Sequence, residues 1–174
     1  MAAARAAITA GTPVLLPLLN DADPTIRIDA AYALATAADP DDKVRTALTT
    51  RFATEPDAIV RAALLLATAE ITRAEADPPT VRWIGELWQD RTQPPEVRLA
   101  AAIGWLCLTD EPAPQDLYQT IDTYATDERA LAMDALPWMN AAAGTGESGL
   151  RRCIRCMLHP EEPEPLDDPW PFSI

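Results

Sequence analysis

Apolar residues in this chain of 174 residues recur three and four positions apart, the spacing of one face of an α-helix, and no stretch alternates as a half-buried strand would. The pattern is clearest when four segments are set in register on an arginine. These are Ile26-Arg27, Val60-Arg61, Val97-Arg98 and Glu128-Arg129, spaced by 34, 37 and 31 residues. Three positions on stand Ala30, Leu64, Ala101 and Ala132, and the next position holds Ala31, Leu65, Ala102 and Met133. Six on stand the small residues Ala33, Ala67, Gly104 and Ala135, then Leu34, Thr68, Trp105 and Leu136. Together these offsets trace one mainly apolar helix face.

Prolines punctuate the chain between these faces. Asp23-Pro24, Asp39-Pro40, Glu55-Pro56, Asp77-Pro78, Gln93-Pro94 and Glu111-Pro112 are separated by 16, 16, 22, 16 and 18 residues. Aspartate accepts the free N–H groups of a first helical turn, and proline suits that turn because it has no N–H to satisfy. Each dipeptide therefore reads as a helix start. The predicted helices cover 12–20, 24–37, 41–54, 57–73, 79–90, 94–109, 114–125 and 128–142, flanked by 2–10 and 147–158. Pro137 is expected to kink the last of the eight. Beyond His159 the run Pro-Glu-Glu-Pro-Glu-Pro-Leu-Asp-Asp-Pro predicts an extended acidic tail over 159–174, apart from a helical domain over 1–158. The 2–10 helix looks like the second member of a pair without its mate, as in a piece of a longer protein.

A period in the thirties with two helices per unit is the mark of a helical solenoid. Asp-Pro-Thr-Ile-Arg-Ile-Asp-Ala-Ala-Tyr-Ala-Leu-Ala, from Asp23 to Ala35, resembles the second half of a HEAT repeat of the phycobilisome-lyase-like group. Pro56 to Ala63 and Pro95 to Ala102 are similar to it, while the fourth copy departs, with Glu128 where a β-branched apolar residue is expected. The resemblance covers about residues 12–142. It implies an all-α fold, a right-handed α-α superhelix of about four helix pairs. It also implies that Arg27, Arg61, Arg98 and Arg129 form a structural ladder, with Asp23, Asp57, Glu96 and Asp127 as partners. Such repeats serve many functions, so activity has to come from the site.

Charge narrows the choice. Acids number 27 and bases 14, a formal net charge of −13, and all the bases but Lys43 are arginine. Such a chain repels phosphates and anionic lipid and attracts a basic partner. Three cysteines, Cys107, Cys153 and Cys156, are too few for a disulfide framework, which points to the cytoplasm. Pro13 and Pro17 interrupt the apolar stretch after Arg5, so no secretory signal is expected, and no apolar run reaches membrane-spanning length.

Little catalytic chemistry is legible. There is no glycine-rich phosphate loop, and the single histidine, His159, borders the tail. Cys153, Cys156 and His159 have helical spacing, but zinc wants a fourth ligand, so the cysteines read as packing and neither metal nor cofactor is expected. Two tryptophans, Trp83 and Trp88, fall on a first-of-pair helix, Trp105 on a core face and Trp170 in the tail. Trp138 falls instead with Asp29, Tyr32, Thr36, Leu66, Glu70, Ile103, Cys107 and Asp134 on the side of the second helices that lines a solenoid's concave surface. That set predicts an acidic groove with aromatic and aliphatic anchors for a basic protein segment.

The expected function is thus a non-catalytic protein-interaction scaffold with bacterial-like composition, one version being an immunity- or antitoxin-like binder. The alternative is a HEAT-like DNA-repair glycosylase, for which the chain has aromatics and acids but few free bases. No pocket motif supports lyase action on a tetrapyrrole-bearing partner.

Overall fold

A computed structural model describes residues 11–36, 42–73, 77–109, 112–124, 126–144 and 147–158. The predicted 2–10 helix and the 159–174 tail, with His159, Trp170 and Phe172, lie outside the described residues. The chain is all-α: α1 spans 11–18, and then come α2 (Pro24–Thr36), α3 (Asp42–Thr54), α4 (Ala58–Thr72) and α5 (Pro78–Gln89). α6 (Pro95–Leu108), α7 (Gln115–Tyr124), α8 (Glu128–Leu131), a 3₁₀ turn (Ala132–Ala135), α9 (Pro137–Ala142) and α10 (Gly149–Leu158) follow.

The helix starts obey the capping logic of the sequence. Asp57 Oδ1 accepts the Ile59 and Val60 N–H groups at 2.9 and 3.1 Å, and Asp127 Oδ1 does the same for Arg129 and Ala130. Asp23 and Asp77 accept from Thr25 and Thr80, each at 2.8 Å. α5, α6 and α9 carry proline in the first turn.

α2 packs on α4, α4 on α6 and α6 on α8, so the second helices form a continuous row. α3 lies against α4, while α5 and α7 lie against α6. Small residues set the closeness of that row. Ala62, Ala63, Ala67, Ala100, Ala101 and Ala102 are wholly buried, and a Cβ on Gly104 would stand 3.2 Å from the Ala69 Cβ and 3.3 Å from Leu65 Cδ2. Alanine at these places removes little side-chain entropy and lets backbones approach.

The fourth repeat departs from the regular pattern. Pro137 does more than kink the predicted 128–142 helix. Leu136 is extended, φ −69° and ψ 146°, which ends the 3₁₀ turn and lets Pro137 open a new helix, α9. A residue before proline is pushed out of the α region by the pyrrolidine ring, and that is the physical reason for the break. The chain then reverses. A single antiparallel bridge pairs Gly144 with Glu147, and α10 packs on α9. Gly149 is required there, since a Cβ would lie 1.7 Å from the Met139 carbonyl oxygen. α9 also touches α2, so this segment folds back against that second helix.

Candidate functional site

Two groups of residues stand out, the aligned arginines and the face opposite the alanine row. Three of the four arginines, Arg27, Arg61 and Arg98, link one helix to a later one, but not through the acids that cap their own helices, and Arg129 makes no such link among the described residues. Arg27 and Arg61 reach forward to the loop before the next second helix, and Arg98 reaches forward to the first-of-pair helix α7. Arg27 is 7% exposed, and its Nε and Nη2 donate to Glu55 Oε2 and Oε1 at 2.9 and 3.0 Å. Nη1 donates to the Asp21 and Ala22 carbonyls. Arg61 Nη2 donates to Gln93 Oε1 at 2.8 Å, and its guanidinium covers the Phe52 ring at 4.6 Å. Arg98 reaches Tyr124 and Thr120. Arg129 is exposed.

Asp23, Asp57 and Asp127 are occupied as caps and so are not the partners expected of them. Glu96 is 8% exposed with no hydrogen bond to Oε2, rather than a partner of Arg98. The real acceptors lie 28, 32 and 26 residues beyond their arginines. Glu55-Pro56 and Gln93-Pro94 were visible as helix starts, and their near-constant offset from the arginines was the signal for a second role. A parallel link joins first-of-pair helices, Arg45 Nη1 donating to Asp77 Oδ1 at 2.6 Å.

Charge compensation falls away along the ladder. Burial alone would raise the Glu55 carboxyl. The Asp57 N–H and the Arg27 and Arg51 guanidinium groups outweigh it and hold the carboxyl below its ordinary value. Arg61 has only a neutral amide, and burial pulls its guanidinium down.

The face opposite the alanine row is divided. Asp29 and Thr36 are exposed, and Thr36 Oγ1 donates to the Tyr32 carbonyl at 3.0 Å. Glu70 is half-buried, and neither Asp29 nor Glu70 forms an ion pair among the described residues. Leu66, Ile103 and Trp138, expected as open anchors, are buried instead. They share one core with Met139, Leu150, Cys153 and Ile154 from α9 and α10. The Trp138 ring meets Tyr32 edge-on, with centroids 4.9 Å apart. Asp134 is half-buried, its Oδ1 accepting the Leu150 N–H at 3.0 Å. Trp138 of α9 thus packs on Tyr32 of α2 inside the predicted groove, Leu66 and Ile103 are buried in the core, and Asp29, Thr36 and Glu70 keep access to solvent.

The remaining tryptophans pack. Trp88 and Trp105 meet at 6.4 Å, and Trp83 meets Phe52 at 5.2 Å. Cys107 opens to solvent on one side, yet the protein crowding it pushes its thiol up. Cys153 is buried, and that burial, with the nearby Cys107 and Cys156, pushes its thiol up to about 12. Among the described residues no three His, Cys, Asp or Glu side chains are grouped to hold a metal ion. No described helix is long and apolar enough to cross a membrane.

Fold and site together define an all-α protein of stacked helix pairs joined by forward-reaching arginines. No protein-family model, no curated protein and no solved structure matches the chain.

Proposed function

We propose that this chain is a non-catalytic protein-interaction module of the HEAT-repeat kind, working in the cytoplasm, that offers an acidic face to a basic protein partner. One observation carries the reading. Asp29 on α2 and Glu70 on α4, on neighbouring second helices, hold carboxylates that no described cation neutralises. Meanwhile Arg27, Arg45, Arg51 and Arg155 are tied to acids within the fold. A rigid row of close-packed helices fixes such charges at set spacings, which favours fast, salt-sensitive association with a complementary surface. An immunity- or antitoxin-like protein that masks a basic toxin is one form of this activity.

The test is capture of partners on the immobilised chain from its native lysate at low and high salt, in parallel with Asp29→Lys/Glu70→Lys. The reading expects a basic protein retained at low salt, released by salt, and lost in the double variant. Retention unaffected by the charge reversals would remove this face as the interface, and no retained protein at either salt would count against the module itself.

A further inference from the structure

Arg98 differs from Arg27 in what surrounds it, and from Arg61 in lining an open cavity. Its guanidinium has five N–H donors. Nε donates to the Trp88 carbonyl at 2.9 Å, Nη1 to the Tyr124 hydroxyl at 2.5 Å, and Nη2 reaches Thr120 Oγ1 at 3.4 Å. All three acceptors are neutral, and the Tyr124 ring lies 5.2 Å from the same cation. Where Arg27 has Glu55, Arg98 forms no ion pair among the described residues.

This half-buried cation lines a cavity of about 370 Å³ between α5, α6 and α7. Arg91 supplies a second, exposed cation and Gln119 an amide donor, while the Thr123 hydroxyl is spent on the Gln119 carbonyl at 2.7 Å. One carboxylate, Asp116, also lines the cavity, exposed and with no ion pair to either arginine. Asp90 feels the Arg98 charge but is engaged with Thr92 and Gln93. A guanidinium held in place by neutral groups, with donors to spare and an open polar cavity in front of it, is preorganised for an oxyanion. In a chain with 27 acids to 14 bases, two arginines that form no ion pair among the described residues line one cavity against a single lining carboxylate.

We propose that this cavity binds an oxyanion, a carboxylate or a phosphate, with Arg98 as principal donor and Arg91 and Gln119 completing the shell. The site is distinct from the acidic face and does not depend on it.

The experiment titrates the isotope-labelled full chain with sodium succinate and with sodium phosphate, against sodium chloride at matched ionic strength, reading amide shifts. Saturable shifts at Gln119, Thr120 and Thr123, with a dissociation constant on the order of 1 mM or tighter, are expected. Saturation by succinate alone assigns a carboxylate ligand, and saturation by phosphate alone a phosphoryl one. Shifts from both anions that merely follow chloride overturn the proposal. Arg98→Gln should weaken binding by about tenfold. Because Arg98 also braces three elements, Asp116→Asn and Arg91→Gln provide readings that leave the fold intact. Removing the exposed rim carboxylate should tighten binding by about twofold to threefold, and removing the rim cation should weaken it by a similar factor. Unchanged affinity in both rim variants would also overturn the assignment.

Discussion

The Arg27 guanidinium grips the Glu55 carboxylate through two N–H···O bonds, Nε at 2.9 Å and Nη2 at 3.0 Å, in an interior that leaves the Glu55 side chain wholly buried. Arg51 adds a third donor at 2.6 Å and the Asp57 N–H a fourth at 3.0 Å. One carboxylate thus ties α2, α3 and the start of α4 together, and its oxygens are saturated by charge-assisted bonds.

Breaking that link from the acid side should be severe. Glu55→Ala strands the Arg27 cation in the core and is expected to cost about 3–5 kcal/mol. Replacing both partners by methionine should recover most of the loss, since the desolvation of two charges disappears with them. Urea unfolding of the single and double variants checks this; an equally unstable double variant would mean that the charged hydrogen bonds themselves, and not relief of a stranded charge, hold the joint.

The same link fixes a pH dependence. Glu55 sits below its ordinary 4.5 in the fold, so its contribution is complete above that value and is lost as pH falls through the depressed folded value. Asp77, where hydrogen bonds from Thr80 and the Arg45 charge outweigh burial, and Glu147, held down by Arg155, act in the same direction. Stability should therefore decline progressively below about pH 4.5. The gap between wild type and Glu55→Gln should narrow over that range, as followed by helical circular dichroism. A constant gap down to pH 2 would contradict the assignment.

Local features were legible and non-local ones were not. The Asp-Pro and Glu-Pro dipeptides mark helix starts because capping is settled within four residues, and the alanine face is legible because it follows one helix's periodicity. Arg27 and Glu55 lie 28 residues apart, so their pairing depends on how one repeat stacks on the next. Nearby Asp23 competed for the role in sequence, though its oxygen is taken by the Thr25 N–H. Trp138 shows the other difficulty. An apolar residue opposite the main core reads equally as a groove anchor or as a second packing face. The break at Leu136–Pro137 decided for packing by turning α9 back onto α2.

The Trp138–Tyr32 contact gives a discriminating pair of variants. Trp138 is 4% exposed and its indole N–H makes no hydrogen bond. Trp138→Phe gives up ring area but also an unsatisfied donor, so a loss below about 1.5 kcal/mol is expected. Trp138→Ala leaves a cavity between α2 and α9 and should cost about 3–5 kcal/mol. Thermal melts of both, with the phenylalanine variant as costly as the alanine, would reveal a polar role for the indole that the packing does not account for.

Gly149 tests the C-terminal hairpin independently. A Cβ placed 1.7 Å from the Met139 carbonyl and 3.0 Å from the Ala143 nitrogen meets backbone, which cannot rotate away as a side chain can. Gly149→Ala should therefore displace α10 from α9 at a cost of about 1–3 kcal/mol, despite alanine's better helix propensity. Faster amide exchange over 149–158 than over α4 and α6 would report it, and a stabilised variant would show that the two helices stand further apart.

Thiol chemistry reads the same closure from inside. Burial, reinforced by the neighbouring Cys107 and Cys156, pushes the Cys153 thiol up to about 12, so at pH 8 only about one part in ten thousand is thiolate. Cys107 is exposed and Cys156 half-buried, and both can meet reagent without unfolding. A disulfide-exchange reagent should therefore label Cys107 and Cys156 in the folded chain, with Cys107 slowed by its own raised thiol. Cys153 should react only as fast as α10 opens. In a Cys107→Ser/Cys156→Ser background the labelling rate then becomes a direct measure of that opening, and Gly149→Ala should raise it. If Cys153 labels at once in the folded protein, α10 is not seated on α9.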